Sequence, residues 1–195
     1  MSKKGNIQEN NMIFSNRRQF LKTAVLAALT AASAPTRRAL AALQDVPGDR
    51  KTLSLYNVHT DEQAFAIYWQ KGRYNPKGLH HVDYILRDFR ANKIMKIDPR
   101  LVDLLHAITS AVDPKYPVHV ISGYRSPQTN EMLRNVRGGI AKGSLHMAGQ
   151  AVDIRIPGVP TSYLRQVAMD MKGGGVGYYP DADFIHIDIG RVRYW

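Results

Sequence analysis

Cysteine is absent from the 195-residue chain. Disulfide bonds, cysteine-ligated zinc sites and catalytic thiols are therefore excluded. Any metal ion would have to be bound by histidine and carboxylate side chains. A single domain of this size buries enough surface to fold without a covalent or metal crosslink.

Long hydrophobic runs are absent as well. The most apolar stretch, from about Thr23 to Ala34, is shorter than the ~20 residues that span a bilayer. It follows Arg17-Arg18 and Phe20-Leu21-Lys22, and it precedes the cleavage pattern Ala39-Leu40-Ala41. The paired arginines predict a twin-arginine signal peptide over residues 1–42; a basic amphipathic leader and a Sec signal are the alternatives. The prediction implies a periplasmic protein that meets the twin-arginine translocase, and the membrane itself, only during export.

The chain is basic, with a formal net charge of +11, yet its mature part lacks a Lys/Arg run interleaved with aromatic residues. Such a run is the pattern expected of a nucleic-acid-binding surface. We therefore expect no nucleic-acid partner, and the positive charge favours a different anionic polymer.

Hydrophobic spacing predicts an α+β domain over residues 53–195, preceded by a linker over 43–52. Leu53–Val58 and Ala64–Trp69 alternate as the strands of a hairpin. Helical spacing of apolar residues predicts a helix from His81 to Asn92, and Asp98-Pro99 is a typical helix start. Further strands are predicted at 118–122, 150–156, 176–179 and 184–189, and further helices from about 126 to 138 and 161 to 172. This order predicts a mainly antiparallel sheet with helices packed on one face.

Two predicted strands carry polar residues on the face that the helices leave open. In the strand predicted at 150–156, side-chain alternation places Asp153 on the face opposite to its apolar neighbours. In the strand predicted at 184–189, it places His186 and Asp188 opposite to theirs. If these strands pair, Asp153 and His186 lie side by side, and His146 approaches them from the preceding loop. Two histidines and one carboxylate with a fourth position free are typical of catalytic zinc. The alternative is a core histidine that is hydrogen-bonded to an aspartate.

Arg125 follows a predicted strand and the turn residue Gly123, just before the helix start at Ser126-Pro127. This order places Arg125 at the rim of the sheet. A guanidinium there can bind a substrate carboxylate or stabilise a developing oxyanion. The alternative is a surface arginine that caps a loop carbonyl.

These motifs together resemble the LAS group of zinc peptidases, which includes lysostaphin-type endopeptidases and D-Ala-D-Ala carboxypeptidases. The resemblance rests on SGYRS at 122–126, on H-x-x-G-x-A-x-D from His146 to Asp153, and on the later histidine at 186. Within the group, FRANKI at 89–94, GGVGYYP at 174–180 and Trp195 are similar to the twin-arginine-exported murein endopeptidases of Gram-negative bacteria. The resemblance runs from about Leu53 to Trp195.

The resemblance implies a zinc-dependent murein endopeptidase that cuts crosslinks between the stem peptides of peptidoglycan. It implies His146, Asp153 and His186 as ligands of Zn²⁺, and Arg125 as a contact of the substrate or the transition state. Two alternatives stay open. One is a D,D-carboxypeptidase that acts on stem peptides, and the other is a catalytically inactive, zinc-containing cell-wall-binding protein.

The general base has two candidates. The carboxypeptidase branch of the group has a glutamate three residues before the last histidine ligand, where this chain has Asp183, one methylene shorter. Asp188 is the second candidate, and its alternative role is to orient a ligand histidine. Tyr124 and Tyr178, which the prediction assigns to substrate binding, and Tyr179 are candidates to line a peptide groove; the alternative is that they are half-buried sheet residues.

Overall fold

The computed structural model describes residues 50–137 and 141–195. The predicted signal peptide and residues 43–49 of the predicted linker lie outside these ranges, so both stay predictions. The first strand begins at Arg50, inside the segment that the sequence predicts to be linker.

The described part of the chain alternates strands and helices. Its strands are β1 (Arg50–Asn57), β2 (Glu62–Gln70), β3 (Arg73–Tyr74), β4 (Val118–Ser122), β5 (Ala151–Arg155), β6 (Gly175–Tyr179), β7 (Phe184–Asp188) and β8 (Arg193–Tyr194). Its α-helices are α1 (Pro76–Ile85), α2 (Pro99–Val112), α3 (Pro127–Arg137) and α4 (Thr161–Asp170). Short 3-10 turns cover Leu145–Ala148 and Pro180–Ala182. No helix in the described ranges is both long enough and apolar enough to cross a bilayer.

All eight strands form one sheet in the order β3-β2-β1-β4-β5-β7-β6-β8. Five neighbouring pairs are antiparallel, whereas β1–β4 and β6–β8 are parallel. The α+β class is confirmed, but the sheet is mixed rather than uniformly antiparallel. A parallel pair needs a long crossover, and here the segment with α1 and α2 connects β1–β2 to β4.

Apolar side chains from one face of the sheet and from the helices form the core. The buried residues include Leu53, Leu55, Val82, Leu101, Leu105, Ile108, Val120, Val152, Ile154, Leu164, Ile185 and Ile187. Because side chains alternate along a strand, the neighbours of these residues lie on the other face. We call it the open face, and its central residues are His119, Asp153, Arg155, Phe184 and His186.

The first helix covers Pro76–Ile85, so it both begins and ends earlier than the helix predicted from His81 to Asn92. Asn75 caps α1 by accepting a hydrogen bond from the amide of Lys77, and Pro76 fills the first helical position. This start signal resembles Asp98-Pro99, which caps α2 as expected. Gly78 permits the close packing of α1, since a Cβ there would lie 2.0 Å from a carbonyl oxygen of β2.

Candidate metal centre

Three side chains converge where β5 and β7 pair. Asp153 and His186 lie opposite each other in the antiparallel register, and His146 comes from the 3-10 turn before β5. His186 Nδ1 lies 2.8 Å from Asp153 Oδ1, and His146 Nε2 lies 3.2 Å from the same oxygen. The two ring nitrogens are 3.2 Å apart. The structure thus brings together all three predicted ligands.

The His146 ring is held by a backbone carbonyl. His146 is only 2% exposed, and its Nδ1 lies 2.7 Å from the carbonyl oxygen of Gly123. Since a carbonyl can only accept, Nδ1 carries the hydrogen and donates it, which leaves the Nε2 lone pair facing Asp153. Burial lowers the pKa of His146, so the ring is neutral and suited to bind a cation.

His186 is oriented by a second carboxylate. Its Nε2 donates to Asp188 Oδ2 over 3.0 Å, which turns Nδ1 towards Asp153. Burial opposes the charged ring, but the hydrogen bonds to Asp153 and Asp188 outweigh it and raise the pKa of His186. A carboxylate behind a ligand histidine is a common device for fixing its tautomer and ring orientation.

Asp188 is itself held by several donors. Its side chain is fully buried, and Arg193 donates to both of its oxygens, over 3.1 and 2.7 Å. The amides of Gly175 and Gly190 donate to Oδ1 over 3.1 and 2.8 Å. Burial alone would raise the pKa of Asp188, yet His186, Arg193 and the two amides hold it well below its usual range. Asp188 is therefore a fixed anion behind His186.

Asp153 is divided between the histidines and an arginine. Its Oδ1 faces both rings, and its Oδ2 accepts a hydrogen bond from Arg125 Nη2. Burial opposes ionisation, but the donors around the carboxylate, His186 among them, outweigh it and hold the pKa of Asp153 well below its usual range. Arg125 is anchored in turn, because its Nε donates to Ser122 Oγ over 2.8 Å.

The three donor atoms fit a zinc ion. Ligands about 2.0–2.1 Å from a tetrahedral zinc lie about 3.3 Å from one another. The three observed separations, 2.8, 3.2 and 3.2 Å, are close to that edge length. The donor set is two imidazoles and one carboxylate, and the second nitrogen of each imidazole is already paired. This set is typical of a catalytic zinc site with a position left for substrate or water.

The three residues lie in a cleft of about 610 Å³. Its other lining residues include Arg125, Ser144, Leu145, Tyr179, Phe184, Arg193 and Trp195. The Trp195 indole lies against Gly177, where a Cβ would come within 2.7 Å of the ring, and its ring centroid is 5.4 Å from that of His186. One wall of the cleft is thus aromatic and the opposite wall carries Arg125.

Asp183 does not line this cleft. Its side chain is 64% exposed, and its carboxylate lies 3.7 Å from Arg155 Nη1 and 3.4 Å from Thr161 Oγ1. Asp188 does line the cleft, but donors occupy both of its oxygens, so the structure favours its alternative role, orienting His186.

Of the three candidate tyrosines, Tyr124 and Tyr178 do not line the cleft, which corrects their assignment to substrate binding. Tyr124 is 7% exposed and belongs to the core, because the preceding Gly123 packs tightly against the end of α1. Tyr178 pairs with the core-facing Ile185, so it points to the helix side of the sheet. Its neighbour Tyr179 is the tyrosine that reaches the cleft.

The sequence reasoning missed several supporting groups, namely the Gly123 carbonyl, Ser122 and Arg193. Gly123 and Ser122 lie in the SGYRS motif, so their position beside Arg125 was a usable signal. No local pattern marks Arg193, because its partner Asp188 is reached only after the chain turns back into β8.

Comparison with known proteins gives consistent matches. The protein-family model described as peptidoglycan L,D-endopeptidase MepK (Peptidase_M15_2) matches residues 46–195. The peptidoglycan L,D-endopeptidase MepK of Escherichia coli strain K12 is 43% identical over 181 residues, which cover 93% of this chain and 97% of that protein. The probable peptidoglycan L,D-endopeptidase MepK of Haemophilus influenzae is 38% identical over 146 residues, covering 74% and 78% of the two chains. The resemblance to LAS-type peptidases is thereby confirmed.

Proposed function

Because the chain belongs to the peptidoglycan L,D-endopeptidase MepK family of peptidases, we propose that it hydrolyses peptide crosslinks of peptidoglycan with a zinc ion held by His146, Asp153 and His186. Membership in this family makes it an enzyme of the peptidoglycan hydrolase class. We propose in addition that the enzyme depends on zinc, that the residues named below have the roles given, and that it acts in the periplasm. The stem peptides of peptidoglycan are the proposed substrate.

The convergence of three donor atoms within 3.2 Å of one another is the observation that carries the zinc proposal. Each imidazole is held through its other nitrogen, His146 by Gly123 and His186 by Asp188. A buried cluster of this kind, opening into a cleft, is what a catalytic metal site requires.

Zinc bound there would supply a Lewis acid for the scissile carbonyl and an activated water near neutral pH. The chain supplies the rest of the site. Asp188 and the Gly123 carbonyl fix the two imidazoles, and the buried anion Asp153 provides the charge that a cation needs. Arg125 lines the cleft, and its donors beyond those bound to Ser122 and Asp153 can bind a substrate carboxylate or oxyanion.

Crosslinked muropeptides provide the direct test. The full-length protein, stripped of metal by a chelator and then resupplied with zinc, is incubated with crosslinked muropeptide dimers, and the products are identified by mass spectrometry. We expect zinc to restore conversion of dimers into monomers. His146→Ala should abolish this conversion, while His80→Ala, an exposed histidine outside the cleft, should retain it.

The products distinguish the alternatives. Loss of a terminal alanine without cleavage of the dimer would identify a D,D-carboxypeptidase instead. Binding to peptidoglycan without any cleavage, unchanged in a His186→Ala variant that no longer holds metal, would identify a wall-binding protein. Either outcome would overturn the endopeptidase proposal.

We also propose export through the twin-arginine translocase, supported by Arg17-Arg18 ahead of a short, modestly apolar segment. The test replaces both arginines by lysine and measures the protein in periplasmic and cytoplasmic fractions. The variant should remain in the cytoplasm, whereas lysines at Arg37-Arg38 should leave export intact. Unchanged export of the first variant would contradict the proposal.

A further inference from the structure

The open face extends beyond the metal centre along β5. Arg155 lies two residues after Asp153 on the same strand and the same face, about 7 Å further along the strand axis. The antiparallel register pairs Ile154 with Ile185, so Arg155 comes opposite Phe184, whose ring lines the cleft. Arg155 does not itself line the cleft; it lies on the same face, one position along β5 beyond the part that does.

Three arginines surround this region, and they differ in how firmly they are held. Arg125 is bound to Ser122 and to the buried Asp153. Arg193 donates two hydrogen bonds to the buried Asp188. Each of these two guanidinium groups therefore has two donors committed to residues of the metal centre.

Arg155 is paired much more loosely. Its Nη1 lies 3.7 Å from Asp183 Oδ2, too far for a good hydrogen bond, and the two side chains are 38% and 64% exposed. An exposed pair of this kind contributes little stability, and it exchanges readily for another carboxylate. Its neighbour across the sheet, His119, adds no competing cation, because burial and then the charge of Arg155 lower the pKa of that histidine.

We propose that Arg155 is a specificity residue that binds a free carboxylate of the stem peptide, displacing Asp183 from its guanidinium. This inference rests on the proposed function. An extended peptide advances about 3.3–3.6 Å per residue, so a carboxylate two residues from the scissile carbonyl lies about 7 Å away. That spacing matches the step from Asp153 to Arg155. Guanidinium groups bind carboxylates through two parallel hydrogen bonds, which gives selectivity for a carboxylate over its amide.

Paired substrates test this subsite. Steady-state kinetics are measured with zinc-loaded full-length protein on a crosslinked muropeptide with free carboxylates and on the same muropeptide with those carboxylates amidated. For Arg155→Gln we expect kcat/KM on the free-carboxylate substrate to fall about 10- to 100-fold, mainly through KM, with a change below about 3-fold on the amidated one. Arg155→Lys should recover only part of the loss, because it restores charge without the fork.

Two further variants complete the design. Arg73→Gln removes an exposed arginine from the far edge strand β3 and should behave as wild type on both substrates. Asp183→Asn removes the competing carboxylate and should lower KM for the free-carboxylate substrate. Equal losses on both substrates in Arg155→Gln, no loss at all, or a raised KM in Asp183→Asn would overturn the subsite while leaving the proposed function intact. Failure of the wild-type protein to cleave either muropeptide would instead overturn the proposed function.

Discussion

Replacing Asp188 by asparagine would separate the orientation of His186 from the rest of the metal centre. In the wild-type protein Asp188 Oδ2 accepts from His186 Nε2 and Arg193 Nη2, while Oδ1 accepts from Arg193 Nη1 and two backbone amides. An asparagine can keep the three bonds to Oδ1. The side-chain NH2 of the asparagine, which can only donate, would then face His186 Nε2 and Arg193 Nη2, and both of these hydrogen bonds would be lost.

The cost follows from these contacts. The Asp188 side chain is fully buried, whereas Arg193 is 34% exposed and can turn to solvent. The main penalty is therefore the unpaired nitrogen of His186, and a buried donor without a partner costs about 1–3 kcal/mol of unfolding free energy. A ligand histidine that loses its orienting carboxylate typically loses about 10- to 100-fold in metal affinity.

The assay is a competition titration of zinc against a chromophoric chelator, made well below the unfolding temperature, together with chemical denaturation of the metal-free protein. Asp170→Asn is the matched control, since Asp170 lies at the end of α4 and contacts only Gln166 among the described hydrogen-bond partners. Wild-type zinc affinity in Asp188→Asn would refute the reasoning. So would a loss of stability alone, because Asp188 would then support the fold without orienting the ligand.

Three further predictions concern packing and ion pairing. Gly78→Ala should lower the unfolding free energy by about 2–3 kcal/mol, measured by chemical denaturation, because its Cβ would lie 2.0 Å from backbone of β2; an unchanged value would contradict the packing. Gly177→Ala should change the near-ultraviolet circular dichroism of Trp195, whose ring lies 2.7 Å from the added Cβ, and an identical spectrum would contradict that contact. The hydrogen bond from Arg87 is the main cause that lowers the pKa of Glu62 from 4.5 to about 2. The stabilisation by this ion pair is therefore complete above pH 4.5 and is lost as the pH falls towards 2. Denaturation of wild type and Glu62→Gln across that range should show a difference of about 1 kcal/mol that disappears at low pH, and a constant difference would contradict the shift.

Much of the metal centre could be predicted from the sequence because strand alternation is a strict period. Once Val152 and Ile154 face the core, Asp153 must face the other way, and the same holds for His186 between two isoleucines. His146 lies in a 3-10 turn, where side chains do not alternate between two faces. Its position could be predicted only from the motif H-x-x-G-x-A-x-D, which joins it to Asp153.

The tyrosines show where local patterns fail. Tyr178 and Tyr179 are neighbouring residues of the same type. Only the pairing of β6 with β7 decides which of them shares a face with His186. Tyr124 follows a glycine in a turn, and its burial depends on contact of that glycine with the end of α1. The first outcome depends on the register of a local hairpin, and the second on contact with Leu86, which is distant in sequence.

The general base illustrates a different limit. The position of Asp183 three residues before His186 is a feature of sequence, but the direction of its side chain is set by a left-handed backbone conformation, with φ of 51°, and by Arg155 and Thr161. Strand alternation makes Asp188 an equally suitable base. The donors that occupy its carboxylate come from Arg193 and two glycine amides, and no local pattern predicts them.

The most direct test of the account is the zinc content of the purified full-length protein, measured by elemental analysis beside His146→Ala, Asp153→Asn and His80→Ala, with circular dichroism to verify folding. We predict one zinc per chain in the wild type and in His80→Ala, and a loss of zinc from folded His146→Ala or Asp153→Asn. Retention of a full equivalent of zinc by either of those two variants, or a folded wild-type protein that binds none, would contradict it.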